Sequence, residues 1–197
     1  MTPAEIAECL EKGGVVLIPT DTVLGLAARP DRPDAVARLF ALKDRPLEKN
    51  LPVMVGELSQ IAGLGAQVTP SADILMTSGH MPGPLTLVLG LGAARPFWLS
   101  GRDEVAVRIP DAELLRSVLR LSGPLLVTSA NRSGLPTPQT SAQAAAQLTA
   151  QPDLVVAGEN AGGTPSTLVN CRLTPPRIER EGAVEAAEIY EILEGKA

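Results

Sequence analysis

The stretch from Gly13 to Pro46 constrains the fold more than any other part of the chain. Its apolar run Val15–Ile18 follows a Gly-Gly break and is typical of a short strand buried on both faces. The run ends at Pro19, and hydroxyl and carboxylate side chains follow at once in Thr20-Asp21-Thr22. A helix comes next, so the polar cluster lies at the carboxyl end of a strand. This order predicts a cleft there.

The helix of this stretch carries a cation on its apolar stripe. Val36, Leu39 and Phe40 recur at helical spacing, and Lys43 falls one turn further on the same stripe, two residues before Arg45. A buried lysine needs an anionic partner, so a site beside the helix end is predicted. Two plainer explanations stay open: the nearby threonines can be ordinary turn residues, and Lys43 can extend along the helix end, where cations suit the macrodipole.

Composition limits the class of protein. A chain of 197 residues that is 45% hydrophobic fits one core, which predicts one domain over 1–197. Thr2, Pro3 and Glu5 predict a capped N-terminal helix instead of a signal peptide, and no apolar run is long enough for a transmembrane helix. We therefore expect a cytoplasmic protein with two free thiols, Cys9 and Cys171.

Charge and residue counts argue against several functions. A net charge of −5 does not favour nonspecific nucleic-acid binding, and 2% aromatic residues make a stacking platform for single strands improbable. The cysteines lack a CxxC spacing and His80 has no neighbouring ligand, so no metal site is expected. His80, the one histidine, falls in a predicted loop, which disfavours Ser-His-Asp catalysis.

The rest of the chain alternates strands and helices, and its short final connections predict a mixed sheet. Pro52 indicates an edge or early strand position for Leu51–Val55. The strand Val105–Ile109 alternates, so Arg108 points away from its apolar neighbours. The other predicted strands are Leu85–Leu89, Leu125–Val127, Leu154–Val156, Thr164–Val169 and Arg177–Gly182, and the other predicted helices are Thr69–Met76, Asp111–Leu119, Ser141–Ala150 and Ala186–Leu193.

Cations and hydroxyls recur near the ends of four separate segments. The candidates are Lys43, Arg45, Arg108, Ser129, Asn131, Ser166 and Arg180. Several cations with several hydroxyls suit a polyanion such as a nucleoside triphosphate, although neither GxxxxGK[ST] nor GxGxxG occurs. Taken alone, the cluster at 128–134 is more typical of an ordinary Asn/Ser/Gly turn than of an anion site. Catalysis at such a site would consist of positioning and charge stabilisation.

Seven segments in order resemble the YrdC-type threonylcarbamoyl-AMP synthase family, over nearly the whole chain. They are IPTDTVLGL (18–26), LKDRP (42–46), MPGPLTLVL (81–89), VAVRIP (105–110), LLVTSANRSG (125–134), PSTLVN (165–170) and RIEREGAV (177–184). The family's Lys-x-Arg and Ser-x-Asn signature falls on Lys43, Arg45, Ser129 and Asn131. The resemblance is to the short, single-domain form, and it implies a YrdC/RibB-like α/β fold: a twisted open mixed sheet, flanked by helices, with a concave basic cleft.

The resemblance also implies an activity. Members make L-threonylcarbamoyladenylate from L-threonine, bicarbonate and ATP, releasing pyrophosphate, with Mg²⁺ or another divalent metal associated with ATP. The product serves N6-threonylcarbamoylation of adenosine 37 in tRNA. The implied partners are a downstream threonylcarbamoyl transferase complex and tRNA or double-stranded RNA, with no membrane.

Roles follow from the resemblance residue by residue. Lys43 and Arg45 are the implied catalytic pair. ATP binding falls to Lys43, Arg45, Arg108, Ser129, Asn131, Ser166 and Arg180, and threonine binding to Thr20, Thr22, Arg45, Arg108 and Ser166. Leu24, Asn50-Leu51-Pro52 and Met54 depart from the common family pattern, which weakens any detailed threonine site.

Three rival functions stay open at this point. One is a carbamoyl-transferring relative, since a similar domain occurs in hydrogenase-maturation carbamoyltransferases. Another is a nonenzymatic RNA-binding or ribosome-assembly module. The third is a paralogue acting on a different amino acid, because one methyl group gives only about 10- to 200-fold discrimination in a pocket.

Overall fold

The computed structural model describes residues 1–47 and 49–195. Within them the helices are α1 (Pro3–Glu11), α2 (Pro33–Lys43), α3 (Ser59–Ala62), α4 (Pro70–Met76), α5 (Glu113–Ser122), α6 (Ser141–Gln147) and α7 (Ala186–Leu193). The strands are β1 (Val16–Ile18), β2 (Gly25–Ala28), β3 (Val53–Met54), β4 (Ala66–Gln67), β5 (Leu85–Leu91), β6 (Glu104–Arg108), β7 (Leu125–Ser129), β8 (Leu154–Val155), β9 (Thr167–Asn170) and β10 (Arg177–Arg180). None of these helices has the length and apolar character needed to cross a bilayer.

All ten of these strands belong to one mixed sheet, as predicted. Its order is β10-β9-β5-β6-β3-β7-β2-β1-β8, with β4 attached to β5. The pairs β1/β8, β3/β6 and β5/β9 are parallel, and the remaining pairs are antiparallel. The sheet therefore brings β9 and β10, from the end of the chain, beside β5 and β6 from its middle.

The two faces of the sheet are covered unequally. One face packs against α2, α4, α6 and α7 in the larger apolar cluster. On the opposite face, Ile6 and Leu10 of α1 and Leu115 and Val118 of α5 pack on β1, β2, β3 and β7. The buried cluster on this second face includes no described residue of β5, β6, β9 or β10. Half of the second face is thus left without a helix, and we call this half the open face.

Local sequence signals account for where several helices begin and end. Thr2 caps α1 and forms a capping box with Glu5, as predicted. Thr69 accepts a hydrogen bond from the Ala72 N–H at the start of α4, and α7 has its predicted bounds. Asp44 ends α2 in the left-handed conformation, with φ of 51°.

Some strand predictions need correction. Strand β3 contains two residues and lies between β6 and β7, so the edge position suggested by Pro52 is wrong; the proline directly precedes the strand, which is the other position predicted. Strands β2 and β4 were not predicted. Strand β2 was missed because the segment Gly25–Ala28 has no β-branched residue. Its glycine is required by close packing, because an added Cβ would lie 2.9 Å from Val127 Cγ1.

The segment after β10 is fastened to the start of β9 by one buried hydroxyl. Thr167 Oγ1 accepts hydrogen bonds from the N–H groups of Gly182 (3.0 Å) and Val184 (3.1 Å), and donates to the Val184 carbonyl (2.6 Å). A Cβ at Gly182 would lie 2.3 Å from the Pro165 carbonyl oxygen and 2.5 Å from the Ser166 carbonyl carbon. The two backbones therefore approach more closely than any side chain at position 182 permits.

We expect Gly182→Ala to lower the free energy of unfolding by about 1–3 kcal/mol, because backbone must shift to admit the methyl group. Urea denaturation measures the change. Gly162→Ala is the matched control, since its Cβ would meet nothing within 4 Å and its effect should stay within about 0.5 kcal/mol. Equal stability of the two variants would contradict the close approach.

Candidate active site

A cavity of about 360 Å³ lies on the open face. Its walls come from the turn after β1, the loop after α2, the whole length of β6, the carboxyl end of β7, and β9 and β10. Seven of the nine predicted site residues line it: Thr20, Thr22, Arg45, Arg108, Ser129, Ser166 and Arg180. The other two, Lys43 and Asn131, lie behind the cavity wall. We call this cavity the cleft.

Arg108 is held in a fixed position at the floor of the cleft. Its Nε donates to the Gly83 carbonyl (3.0 Å), its Nη1 to Thr22 Oγ1 (2.9 Å) and its Nη2 to Asp21 Oδ1 (2.7 Å). Only 4% of the residue is exposed. Burial lowers the pKa of the guanidinium, and the Asp21 carboxylate opposes that shift. Two of its five N–H donors remain for a ligand.

The two threonines after β1 support Arg108. The Thr20 hydroxyl donates to the Val23 carbonyl (2.7 Å), so the proton shared by Thr20 Oγ1 and Thr22 Oγ1, 3.1 Å apart, comes from Thr22. Both hydroxyl protons are therefore used inside the protein. Thr22 Oγ1 in addition accepts a hydrogen bond from Arg108. One lone pair of Thr22 remains, which suits a donor such as an ammonium group.

A second guanidinium enters the cleft from β10. Arg180 donates to the Ser166 carbonyl through Nε (3.2 Å) and Nη2 (2.8 Å), and its Nη2 lies 3.3 Å from Ser166 Oγ. Ser166 Oγ in turn shares a hydrogen bond of 2.7 Å with Thr86 Oγ1. Burial lowers the pKa of Arg180, and the positive charge of Arg108 lowers it further. Two guanidinium groups that repel each other across a cleft favour an anion between them.

Lys43 is 2% exposed, but its partner is not the predicted anion. Its ammonium group donates to the main-chain carbonyls of Ser129 and Asn131, the second at 2.6 Å. Two carbonyl oxygens thus accept hydrogen bonds from the buried ammonium group without carrying a formal charge, and its expected contact with an anion stays a prediction. Desolvation, helped by the charge of Arg45, lowers the pKa of Lys43 to about 8. Lys43 thus holds the loop that presents Ser129 to the cleft.

Asn131 and Arg45 each keep an unused buried atom. The Asn131 side-chain amide donates to the carbonyls of Arg132 (3.0 Å) and Leu135 (2.7 Å), while its Oδ1 has no partner among the described residues. Arg45 donates through Nη2 to the Asn50 carbonyl (3.2 Å), and its buried Nε has no partner there either. Burial lowers the pKa of Arg45. Unused buried polar atoms are expected where a ligand completes the hydrogen bonding.

Several cleft residues were missed from the sequence. They are Thr86, Arg102 and Glu104, which line the cavity, and Asp21, which pairs with Arg108. The alternation of β6 was a usable signal, because Glu104, Ala106 and Arg108 share one face. His80 lies in a loop, as predicted; its Nε2 lies 2.9 Å from Glu188 Oε1, and it does not line the cleft.

Comparison with known proteins identifies the family. The Sua5_yciO_yrdC family model, described as "Telomere recombination", matches residues 8–182. The chain belongs to the Sua5/YciO/YrdC family. A family member from Pseudomonas aeruginosa, a threonylcarbamoyl-AMP synthase, is 34% identical over 169 residues, which cover 85% of this chain and 91% of the relative.

Longer members of the family extend beyond the matched region. The threonylcarbamoyl-AMP synthase of Bacillus subtilis is 34% identical over 194 residues, or 96% of this chain and 56% of the relative. The solved structure of P. abyssi Sua5 complexed with L-threonine superposes with a TM-score of 0.87 at 31% identity, covering 96% of this chain and 56% of that one. The chain therefore spans little more than half of these two relatives.

The acidic residues near the cleft do not form a metal cage. No group of three or more His, Cys, Asp or Glu side chains within 1–47 and 49–195 is arranged to hold a metal ion. Glu104 pairs with Arg172, and Asp21 pairs with Arg108. This side-chain set fits a divalent ion that is held mainly by nucleotide phosphates and water, as is usual for Mg²⁺.

Proposed function

We propose that the chain is a threonylcarbamoyl-AMP synthase. It joins L-threonine, bicarbonate and ATP into L-threonylcarbamoyladenylate and releases pyrophosphate, which makes it a nucleotidyltransferase. The observation that carries this proposal is the pair Arg108 and Arg180: a buried guanidinium group and a more exposed one line the same cleft, in a chain 34% identical to named synthases. All three substrates of the reaction are anionic or carry a carboxylate, so a cleft of this charge suits them.

Threonine occupies the part of the cleft between β1 and β9 in this proposal. Its carboxylate lies against Arg108 and Arg180, whose unused donors suit two carboxylate oxygens. Its amino group lies beside Thr22 Oγ1, which retains an acceptor lone pair. Ser166, already hydrogen-bonded to Arg180 and Thr86, supports the same subsite. Thr20 acts through Thr22.

The nucleotide occupies the side of the cleft formed by the loops after α2 and β7. Arg45 and Ser129 contact its phosphates, and Lys43 and Asn131 hold the loop of Ser129 in place. When Mg²⁺ accompanies ATP, it neutralises part of the phosphate charge. Arg45 Nε is an unused donor on a residue that lines the cleft, and it is available to the phosphates.

The chemistry needs no covalent intermediate with the protein. The threonine amine forms a carbamate either by adding to CO₂ with loss of a proton or by condensing with bicarbonate with loss of water. A carbamate oxygen then attacks the α-phosphorus while the bond to pyrophosphate breaks. Fixed guanidinium groups stabilise the charge that develops on the phosphoryl oxygens and on the leaving group. Because the carbamate is labile in water, the cleft also helps by limiting solvent access.

The partners proposed for this function are a downstream threonylcarbamoyl transferase and the tRNA whose adenosine 37 is modified. Direct binding of tRNA or double-stranded RNA is a separate proposal, and a filter-binding titration of tRNA against duplex RNA tests it. We also propose that 1–197 acts as one YrdC-like domain in the cytoplasm.

The deciding experiment measures pyrophosphate release from ATP in the presence of bicarbonate and magnesium, with and without L-threonine. We expect release that depends on threonine and that is lost in Lys43→Ala. L-serine in place of threonine reports how strictly the side-chain methyl is recognised. A protein that binds ATP but releases no pyrophosphate with either amino acid would contradict the proposal and favour a carbamoyl-transfer function.

A further inference from the structure

Arg102 is a cation of the cleft to which neither the signature motifs nor the roles above assign a part. It lies two residues before β6 and lines the same cavity as Arg108, which ends that strand. Its side chain is partly buried, and burial lowers the pKa of its guanidinium. At neutral pH the group stays charged, because the arginine guanidinium is not deprotonated in proteins.

The guanidinium of Arg102 makes no hydrogen bond or ion pair with any described residue. The other three arginines of the cleft are each held by the protein: Arg45 by the Asn50 carbonyl, Arg108 by Asp21 and Thr22, and Arg180 by Ser166. The nearest acid in sequence on the same face, Glu104, pairs with Arg172 instead. Arg102 therefore presents five unused donors to a partly desolvated cavity.

Desolvating a charge without a partner is unfavourable, so this arrangement calls for an anionic ligand group. Structural cations on protein surfaces avoid the cost by extending into water, whereas Arg102 lies in the wall of the cleft. A cation with a shifted pKa, no partner in the protein and a position in a substrate cavity is a candidate binding residue.

Distance along β6 indicates which substrate Arg102 contacts. Glu104 and Arg108 are four residues apart on one strand, which separates their Cα atoms by about 13 Å, and Arg102 lies beyond Glu104. An amino acid held by Arg108 is too short to reach this end of the cleft. A nucleoside triphosphate is long enough, and its phosphates are the group that a free guanidinium fork binds best.

We propose that Arg102 binds the phosphate chain of the nucleotide substrate, at the end of the cleft opposite Arg108. The inference rests on the proposed function for the identity of the nucleotide. The phosphates that leave as pyrophosphate are the ones Arg102 contacts, so it contributes to ATP affinity and to retention of the product. It makes no contact with threonine.

The test compares Arg102→Gln with wild type in the pyrophosphate-release assay. We expect the KM for ATP to rise about tenfold or more, the range typical for a lost hydrogen bond to a charged group, with the KM for threonine changed less than about twofold. Arg102→Lys keeps the charge but loses the planar guanidinium fork. Its KM for ATP should therefore lie between the values of wild type and Arg102→Gln. Because Arg102 has no partner in the protein, its variants should unfold at the wild-type temperature.

Arg95→Gln is the matched control, since Arg95 lies in the same connection between β5 and β6 but does not line the cleft. Its KM for ATP should equal that of wild type. An unchanged KM for ATP in Arg102→Gln would overturn the inference, as would equal rises for ATP and threonine, which a general structural effect produces.

Calorimetric titration with pyrophosphate and with AMP separates this inference from the proposed function. Arg102→Gln should weaken pyrophosphate binding about tenfold and leave AMP binding unchanged. Loss of AMP binding instead would assign Arg102 to the base or ribose and overturn the phosphate contact. If wild type shows no threonine-dependent release, the proposed function fails, and the pyrophosphate titration still decides whether Arg102 binds phosphates.

Discussion

Lys43→Met is expected to lower the rate of threonine-dependent pyrophosphate release by about 100-fold or more. Methionine fills the space of the lysine stem but donates nothing to the carbonyls of Ser129 and Asn131. Each lost charge-assisted hydrogen bond is typically worth about 1.5–3 kcal/mol, and the loop that presents Ser129 moves when both are lost. Stability should change little, because removing a buried charge offsets the two unsatisfied carbonyls. Lys12→Met, at an exposed lysine, should leave activity unchanged.

The lowered pKa of Lys43 predicts that stability and activity depend on pH in opposite directions. Its value of about 8 in the folded protein is below the ordinary 10.5, so between these values the unfolded state binds more protons than the folded state. The contribution of Lys43 to the free energy of unfolding therefore rises with pH across this window. Below pH 8 the group is protonated in both states and its contribution is constant.

Activity should change in the opposite direction over the same window. The ammonium form donates to the carbonyls and attracts phosphates, so kcat/KM should decline above about pH 8. Bound ATP favours the charged form, which shifts the decline of kcat to higher pH. The difference in unfolding free energy between wild type and Lys43→Met, measured from pH 7 to 10, tests the stability part. A flat difference together with a flat kcat/KM profile would show that Lys43 does not titrate there.

Arg108→Met is expected to lower the free energy of unfolding by about 3–5 kcal/mol and to abolish threonine-dependent pyrophosphate release. The substitution leaves Asp21 as a buried carboxylate without its partner, beside a Thr22 hydroxyl that loses a donor. Arg120→Met, which breaks an exposed ion pair with Glu113, should cost less than about 1 kcal/mol. Urea denaturation measures both.

The double variant Arg108→Met with Asp21→Asn separates the structural role of Arg108 from its role in binding. Neutralising Asp21 should restore most of the lost stability, because the cost comes from the unpaired charge. Activity should stay absent, because the threonine carboxylate still lacks its guanidinium partner. Recovery of activity along with stability would mean that Arg108 only supports the fold, and unchanged release in the single variant would remove it from the site.

Local signals were sufficient to predict much of the fold. The capping box of Thr2 and Glu5 fixes the start of α1, and the apolar periodicity of α2 placed Lys43 on a buried stripe, where the structure has it. The mixed sheet followed from short connections between the last strands. These features depend on residues close in sequence, so one chain is enough to infer them.

Features that depend on distant residues were not predictable in the same way. Strand β2 has no β-branched residue and is stabilised by β1 and β7, a pairing that its own composition does not encode. The carbonyl partners of Lys43 lie 86 and 88 residues away. Thr20 and Thr22 were expected to hold threonine, and the sequence does not reveal that hydrogen bonds to Val23 and between the two threonines already use both hydroxyl protons, which leaves Thr22 an acceptor lone pair for a ligand.

The order of strands in the sheet has a consequence for the protein as it is synthesised. Strands β9 and β10 are translated after the other strands of the sheet, yet they complete it beside β5 and bring Ser166 and Arg180 to the cleft. A nascent chain that has exposed only the first 150 residues lacks this wall. Substrate therefore cannot be held between both walls at that stage, and the part of the β5 edge that β9 later covers stays unpaired unless a chaperone shields it.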